Sequence, residues 1–172
     1  MNEKTDTNES TNTTDEIEPM RILRISRFPS LSGRSELTGH VGCNESNAIH
    51  FRIWANSAAG MFNRTWVSMA DVSKLVSTPE NFSSNALAEL WKGASRNGPG
   101  FSLAHLLSEA LVEKPPSSQR TYRTANPVPF LERINALIAS DVDLKEDDEP
   151  SDALPMSAAA TPKRGRPKKQ SA

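Results

Sequence analysis

The clearest periodicity in the chain lies at residues 48–55, where Ile49, Phe51 and Ile53 alternate with His50, Arg52 and Trp54. Successive side chains of a strand point to opposite sides of a sheet, so period-two alternation marks a strand with one buried face. Residues 56–60, with Asn, Ser and Gly, form a loop of hairpin length, and residues 61–69 read as the returning strand. A five-residue loop sets Ala55 opposite Met61 and gathers Ile49, Phe51 and Ile53 on one face with Met61, Val67 and Met69. A four-residue loop would carry Arg64 into that apolar layer, because a slip by one position exchanges whole faces. The five-residue register is therefore the expected one.

Upstream, residues 21–28 combine Ile22, Ile25 and Phe28 with Arg21, Arg24 and Arg27. That spacing fits a helix face or the edge of a sheet, and is read as a strand. Residues 29–35 are turn-like, residues 36–42 form a second short strand, and residues 44–47 a turn. Beyond Met69 the period becomes helical. A short helix at residues 70–76 stops before Thr78-Pro79, and a second, capped by Ser84, carries Leu87, Leu90, Trp91 and Ala94. Residues 96–100, Arg-Asn-Gly-Pro-Gly, read as a loop. A third helix, capped by Ser102, runs towards Pro115-Pro116 with Leu103, Leu106, Leu107, Ala110 and Leu111 in one stripe. After a short strand at residues 119–124, Asn126-Pro127 opens the last helix, which buries Phe130, Leu131, Ile134, Leu137 and Ile138. The expected fold class is α+β, a small antiparallel sheet with a central hairpin followed by about four helices, over residues 20–140.

The ends differ from this body. Residues 1–19 are Asn, Thr and acid with Ile17 the only large apolar side chain after the initiator, too little to offset the entropy of ordering, and are expected to be disordered. Residues 141–160 are acidic, then Ala-rich and dotted with Pro, an expected flexible linker; residues 161–172 are a basic tail.

Charge sharpens the division. The net charge of −1 is the sum of four alternating blocks: −5 over residues 1–19, +5 over 20–140, −6 over 141–160 and +5 over 161–172. A basic body and a basic tail suit a polyanionic partner, and the acidic blocks would compete with that partner inside the molecule. The single cysteine, Cys43, excludes an internal disulfide framework and fits a reducing compartment. No apolar run approaches the roughly eighteen residues of a membrane span, and the chain does not open on a basic-then-apolar signal. No membrane association is expected; the expected location is cytoplasmic, at the nucleoid, in a bacterium or phage, and nuclear in a eukaryote.

The tail holds the most specific chemistry. Arg164, Gly165, Arg166 and Pro167 are flanked by Lys163, Lys168 and Lys169. Two guanidinium groups suit the negative potential of a narrow A·T-rich minor groove. Gly165 lets the backbone approach the base edges, Pro167 holds the segment extended, and the lysines are placed for phosphates. This stretch resembles the AT-hook, whose core is Arg-Gly-Arg-Pro in a basic setting. The resemblance covers the tail alone and implies minor-groove binding to A·T-rich duplex DNA. A generic basic tail or a nuclear-import signal is the plainer reading.

A second candidate is the polar face of the expected hairpin. It carries His50, Arg52, Trp54, Phe62, Arg64 and Trp66, arginines interleaved with rings, as in sheets that stack unpaired bases. The plainer reading, which the residues favour, has a helix laid over this face and the tryptophans in a core, with the arginines reaching water along their stems. A winged helix with the helix from Ser102 in the major groove is disfavoured, because that helix is poor in Arg, Lys, Asn and Gln. His40, Cys43 and His50 lack metal-site spacing, and Asn97-Gly98-Pro99-Gly100 lacks the lysine of a nucleotide loop. Catalysis, a metal and a cofactor are therefore not expected. The expected function is that of a DNA-binding accessory or regulatory protein. The alternatives are a protein-interaction adaptor localised by its tail, with a protein partner or a second copy, and a single-strand or RNA binder using the sheet face.

Overall fold

In the computed structural model, which describes residues 18–151, the alternating stretch is the third strand of a four-stranded antiparallel meander. Strand β1 spans Arg21–Pro29, β2 Glu36–Cys43, β3 Ile49–Asn56 and β4 Val67–Ser68, paired in chain order. Asn44 makes the turn into β3, its Oδ1 accepting from the amides of Ser46 and Ala48. Helix α1 covers Met69–Val76, a 3₁₀ helix Ser84–Trp91, α2 Gly98–Ser108 and α3 Val128–Ala139. Between α2 and α3 a two-strand ribbon pairs β5, Val112–Glu113, with β6, Arg123–Thr124. The protein is α+β, as its alternation and later helical spacing lead one to expect.

The sheet buries one face under the helices. Leu23, Val41, Phe51 and Val67 meet Val72 and Val76 of α1, Leu87 and Trp91 of the 3₁₀ helix, Leu103 and Leu106 of α2, and Phe130 and Ile134 of α3. Each such side chain, fully withdrawn from water, contributes about 1.5–3 kcal/mol before entropy is charged against it. Phe51 lies directly opposite Val67, which puts the apolar half of the β3 alternation in the core. A smaller cluster of Phe28, Leu37, Ile53 and Ala104 closes the end of the sheet, with Phe62 and Phe101 packed against it.

Two bulges decide which side chains face which way. On β1 the register skips between Ile22 and Arg24, so Leu23 and Arg24 both turn to the helical side while Ile22 and Ile25 stay on the other. The three arginines of β1 therefore separate, Arg24 reaching Glu109 under α2 and Arg27 reaching Glu149 on the opposite side. On β3 the register skips Trp54, which lies between Ala55, opposite Thr38, and Ile53, opposite Gly39.

Several expectations are corrected. The hairpin after β3 has no long returning strand, since only Val67 and Ser68 pair, with Phe51 and His50; the connection is much longer than five residues and Met61 is 87% exposed. The reason is local: the Trp54 carbonyl, on the stretch of β3 beyond β4, takes a hydrogen bond from Arg64 Nε at 2.8 Å, a side-chain substitute for a strand. Gly98-Pro99-Gly100 is the first turn of α2 rather than a loop, with the proline where an N–H is not needed. Gly98 is there for packing, as a Cβ would stand 2.4 Å from the Trp91 ring. Helix α2 also ends at Ser108, well before the prolines, and Leu103 to Leu106 are all buried, so no face of its middle is available to a DNA groove.

The acidic segment after α3 differs most. From Asp141 to Ser151 the chain is described, and it runs back along the free edge of β1, where Leu144 bridges Ile22 and the Ser151 amide donates to the Ile25 carbonyl at 3.0 Å. The expected flexible linker is corrected up to that residue. Composition foretold disorder there, but two backbone pairings and a set of ion pairs hold the segment, and it covers an edge strand that would otherwise stay open. Residues 152–160 lie outside the described part, as do residues 1–17 of the stretch 1–19 expected to be disordered.

Candidate nucleic-acid interface

The outer face of the sheet, away from the helices, is built from β2, β3 and the long connection after β3. His40 lies opposite Arg52, and Gly42 opposite His50. Gly42 leaves room for Trp66, whose ring atoms lie 2.8 Å from where a Cβ would stand. The connection is tied down at Met61, whose carbonyl accepts from Ser95 Oγ at 2.7 Å and Asn97 Nδ2 at 3.1 Å. It then returns Arg64 and Trp66 to the sheet.

The result is a stack of cations and rings. The Arg52 guanidinium lies 4.7 Å from the Trp54 ring centre and 4.4 Å from that of Trp66. Arg64 lies 4.1 Å from the Trp54 ring. His40 stacks on Trp54 at 5.3 Å and stands tilted to Trp66 at 6.4 Å. Cation–π contacts strengthen as water is withdrawn, and the Arg52 side chain is only 9% exposed. Its Nε donates to His40 Nδ1 at 3.1 Å, which makes His40 the neutral Nε2–H tautomer. Burial first, then the Arg52 charge, then His105, push the His40 pKa down to about 4.

Among the described residues no helix covers this face. Its cover is the acidic turn after Leu144: Arg52 Nη2 donates to Glu146 Oε1 at 2.9 Å and the Trp54 indole N–H to Asp147 Oδ1 at 3.0 Å. Here the favoured plain reading is corrected, and so is the grouping of side chains. Arg52, Trp54, Arg64 and Trp66 do come together, although Arg64 and Trp66 arrive on a connection rather than a paired strand. Phe62 instead joins the inner cluster with Phe28 and Ile53, its ring 5.8 Å from Arg64. His50 turns to its own loop, with Nδ1 2.9 Å from the Ala48 carbonyl. Lys163, Arg164, Gly165, Arg166, Pro167, Lys168 and Lys169 lie outside the described residues.

Three participants escaped sequence reasoning. In the sequence His40 stands out only beside Cys43 and His50, as a metal-ligand type; its place opposite Arg52 follows once β2 and β3 are registered. Glu146 and Asp147 fall in the acidic stretch that reads as a linker, although Val142 and Leu144 before them carry a short apolar alternation able to anchor it. His40 faces the outer stack while Cys43 lies in the core, and the described residues hold no cluster of three metal-ligating side chains.

An apolar cleft of about 270 Å³ between α1 and α2, lined by residues such as Val72, Val76, Leu106 and Leu111, has no charged group in its wall. Among the described residues no helix is long and apolar enough to cross a membrane. No family model, curated protein or solved structure matches the chain.

Proposed function

We propose that the chain is a non-enzymatic DNA-binding accessory or regulatory protein. Its tail enters the minor groove of A·T-rich duplex DNA through Arg164 and Arg166, and its folded body adds contacts from the arginine-rich outer face. The observation that carries this reading is the Arg-Gly-Arg-Pro core at residues 164–167, set in a terminus with five basic groups and no acid. A single short motif binds weakly. Joining it to a body with its own cationic face raises the local concentration of the second contact, so two weak contacts act as one firmer one.

Deletion of residues 161–172 tests the assignment. Affinity for an A·T-rich duplex is expected to fall at least about tenfold near 0.1 M salt, and the slope of log K against log salt to shrink by about 3 as the lysine–phosphate contacts vanish. Unchanged affinity and slope would leave the tail as a mere address and favour the adaptor reading.

A further inference from the structure

We propose that the Arg52–Trp54–Trp66 stack is a site for a single-stranded nucleic-acid segment, and that Glu146 and Asp147 occupy it in cis as stand-ins for that ligand. This deepens the DNA-binding reading, on which it rests only for the share assigned to the body.

Two hydrogen-bond donors on the stack, a guanidinium N–H of Arg52 and the indole N–H of Trp54, are each satisfied by a carboxylate, and the two carboxylates belong to consecutive residues. A phosphodiester presents the same chemistry: anionic oxygens a short distance apart on a flexible backbone. The seats differ in accessibility, which is what exchange requires. Arg52 is held firmly between rings at 9% exposure, whereas the Glu146 side chain is 52% exposed, so the site is built and its occupant is in water. A further ion pair of the turn is of the same solvent-facing kind, Arg27 to Glu149 at 3.7 Å with side chains 51% and 88% exposed, while the backbone pairings of Leu144 and Ser151 with β1 hold the two ends of the segment.

The rings decide between a nucleic acid and an acidic protein. An acidic peptide needs only the cations. Here a planar, exposed guanidinium, that of Arg64, lies 4.1 Å from the Trp54 ring, in the position of a stacked base, and reaches a phosphate when a base takes its place by giving up its hydrogen bond to the Trp54 carbonyl. Trp54 is the bulged residue of β3, a geometry that turns a side chain out of the regular pleat. Beyond Arg64 the surface continues as a groove of about 770 Å³ that also holds Asn63, Arg96 and Asn97, room for a strand to run on from the stack. An unpaired strand fits this track, since the bases of a duplex are stacked on each other and out of reach of the rings.

The test uses the full chain carrying Arg164→Ala and Arg166→Ala, so that the tail contributes no groove binding. A fluorescent oligothymidylate of about twelve nucleotides is titrated in about 0.1 M salt, with intrinsic tryptophan emission followed in parallel. Glu146→Gln with Asp147→Asn is expected to raise affinity about tenfold and to deepen the tryptophan quenching on binding, and adding Arg64→Ala to remove most of that gain. Asp147→Asn alone, which leaves the Arg52–Glu146 pair in place, gives a smaller gain and serves if the double variant unfolds. Unchanged affinity in folded variants would overturn the proposal, and so would an equal gain for a polyglutamate peptide, which needs charge and not stacking. Loss of A·T-duplex binding on tail deletion is read separately, so either assignment can fail without the other.

Discussion

The two faces of the sheet both pair arginine with carboxylate, and they do so in opposite surroundings. On the inner side Glu109, just past the end of α2, is 2% exposed and accepts from Arg24 Nε at 3.0 Å, Ser26 Oγ at 3.3 Å and Arg133 Nη2 at 2.7 Å. A carboxylate at a helix C-terminus opposes the helix dipole, and two guanidinium groups offset it. On the outer side Glu146 answers Arg52 from a turn that is half in water. A charge pair sealed from solvent is a structural joint, because removing one partner strands the other; a pair reached by water can change partners. The same residue types therefore brace the fold on one face and leave a replaceable contact on the other.

The strongest way to break this comparison is Glu109→Ala, which deprives Arg24 and Arg133 of their shared carboxylate. A loss of about 3–5 kcal/mol is expected in urea unfolding. A loss under about 1 kcal/mol would mean that the inner pairs are as exchangeable as the outer one.

Acid titration comes next. His105 lies beneath the sheet, stacked on Phe28 at 4.9 Å, with both ring nitrogens buried and without a hydrogen-bond partner among the described residues. Gly39 makes space for it, since a Cβ there would stand 2.7 Å from the ring. Burial, only partly opposed by Glu109, pushes its pKa down to about 4. The unfolded chain takes up the proton near 6.5 and the folded chain only near 4. Stability is thus greatest above pH 6.5 and falls as the pH drops towards 4, with His40 acting in the same direction. The loss is on the order of 3 kcal/mol for His105, measured as the urea midpoint across that window. His105→Leu removes a buried donor without a partner, so it is expected to stabilise by about 1 kcal/mol at neutral pH and to flatten the acid loss. A variant that keeps the full acid loss would assign it elsewhere.

The smallest effect is expected from Glu146→Gln. Breaking a half-exposed pair should cost under about 1 kcal/mol of stability. A loss as large as that of Glu109→Ala would make the acidic turn a structural joint too.

How far the residues themselves announced this arrangement follows from the physics of each element. The alternation of β3, the Asn44 turn and the stripe of α3 rest on local rules, and they stand close to where the spacing puts them. The α3 start is one example: the Val128 amide donates to Asn126 Oδ1 at 3.1 Å, as the Asn-Pro pair leads one to expect. The misjudged parts depend on partners distant in sequence. Gly98 reads as a turn until Trp91 is seen above it, and residues 61–66 read as a strand until Arg64 is seen to satisfy Trp54. The acidic turn reads as solvated linker because the arginine and indole that hold it lie far upstream, on β3. Charge blocks named the right polarity for the outer face but not the fact that the molecule already supplies its own anion.

The most direct test of the DNA-binding account is a titration of the intact chain against an A·T-only duplex, with a G·C-only duplex of equal length alongside, near 0.1 M salt. Binding at least about tenfold tighter to the A·T duplex is predicted, because only its narrow minor groove attracts the Arg164–Gly165–Arg166 core. Equal affinity for the two, or affinity for neither, would contradict it.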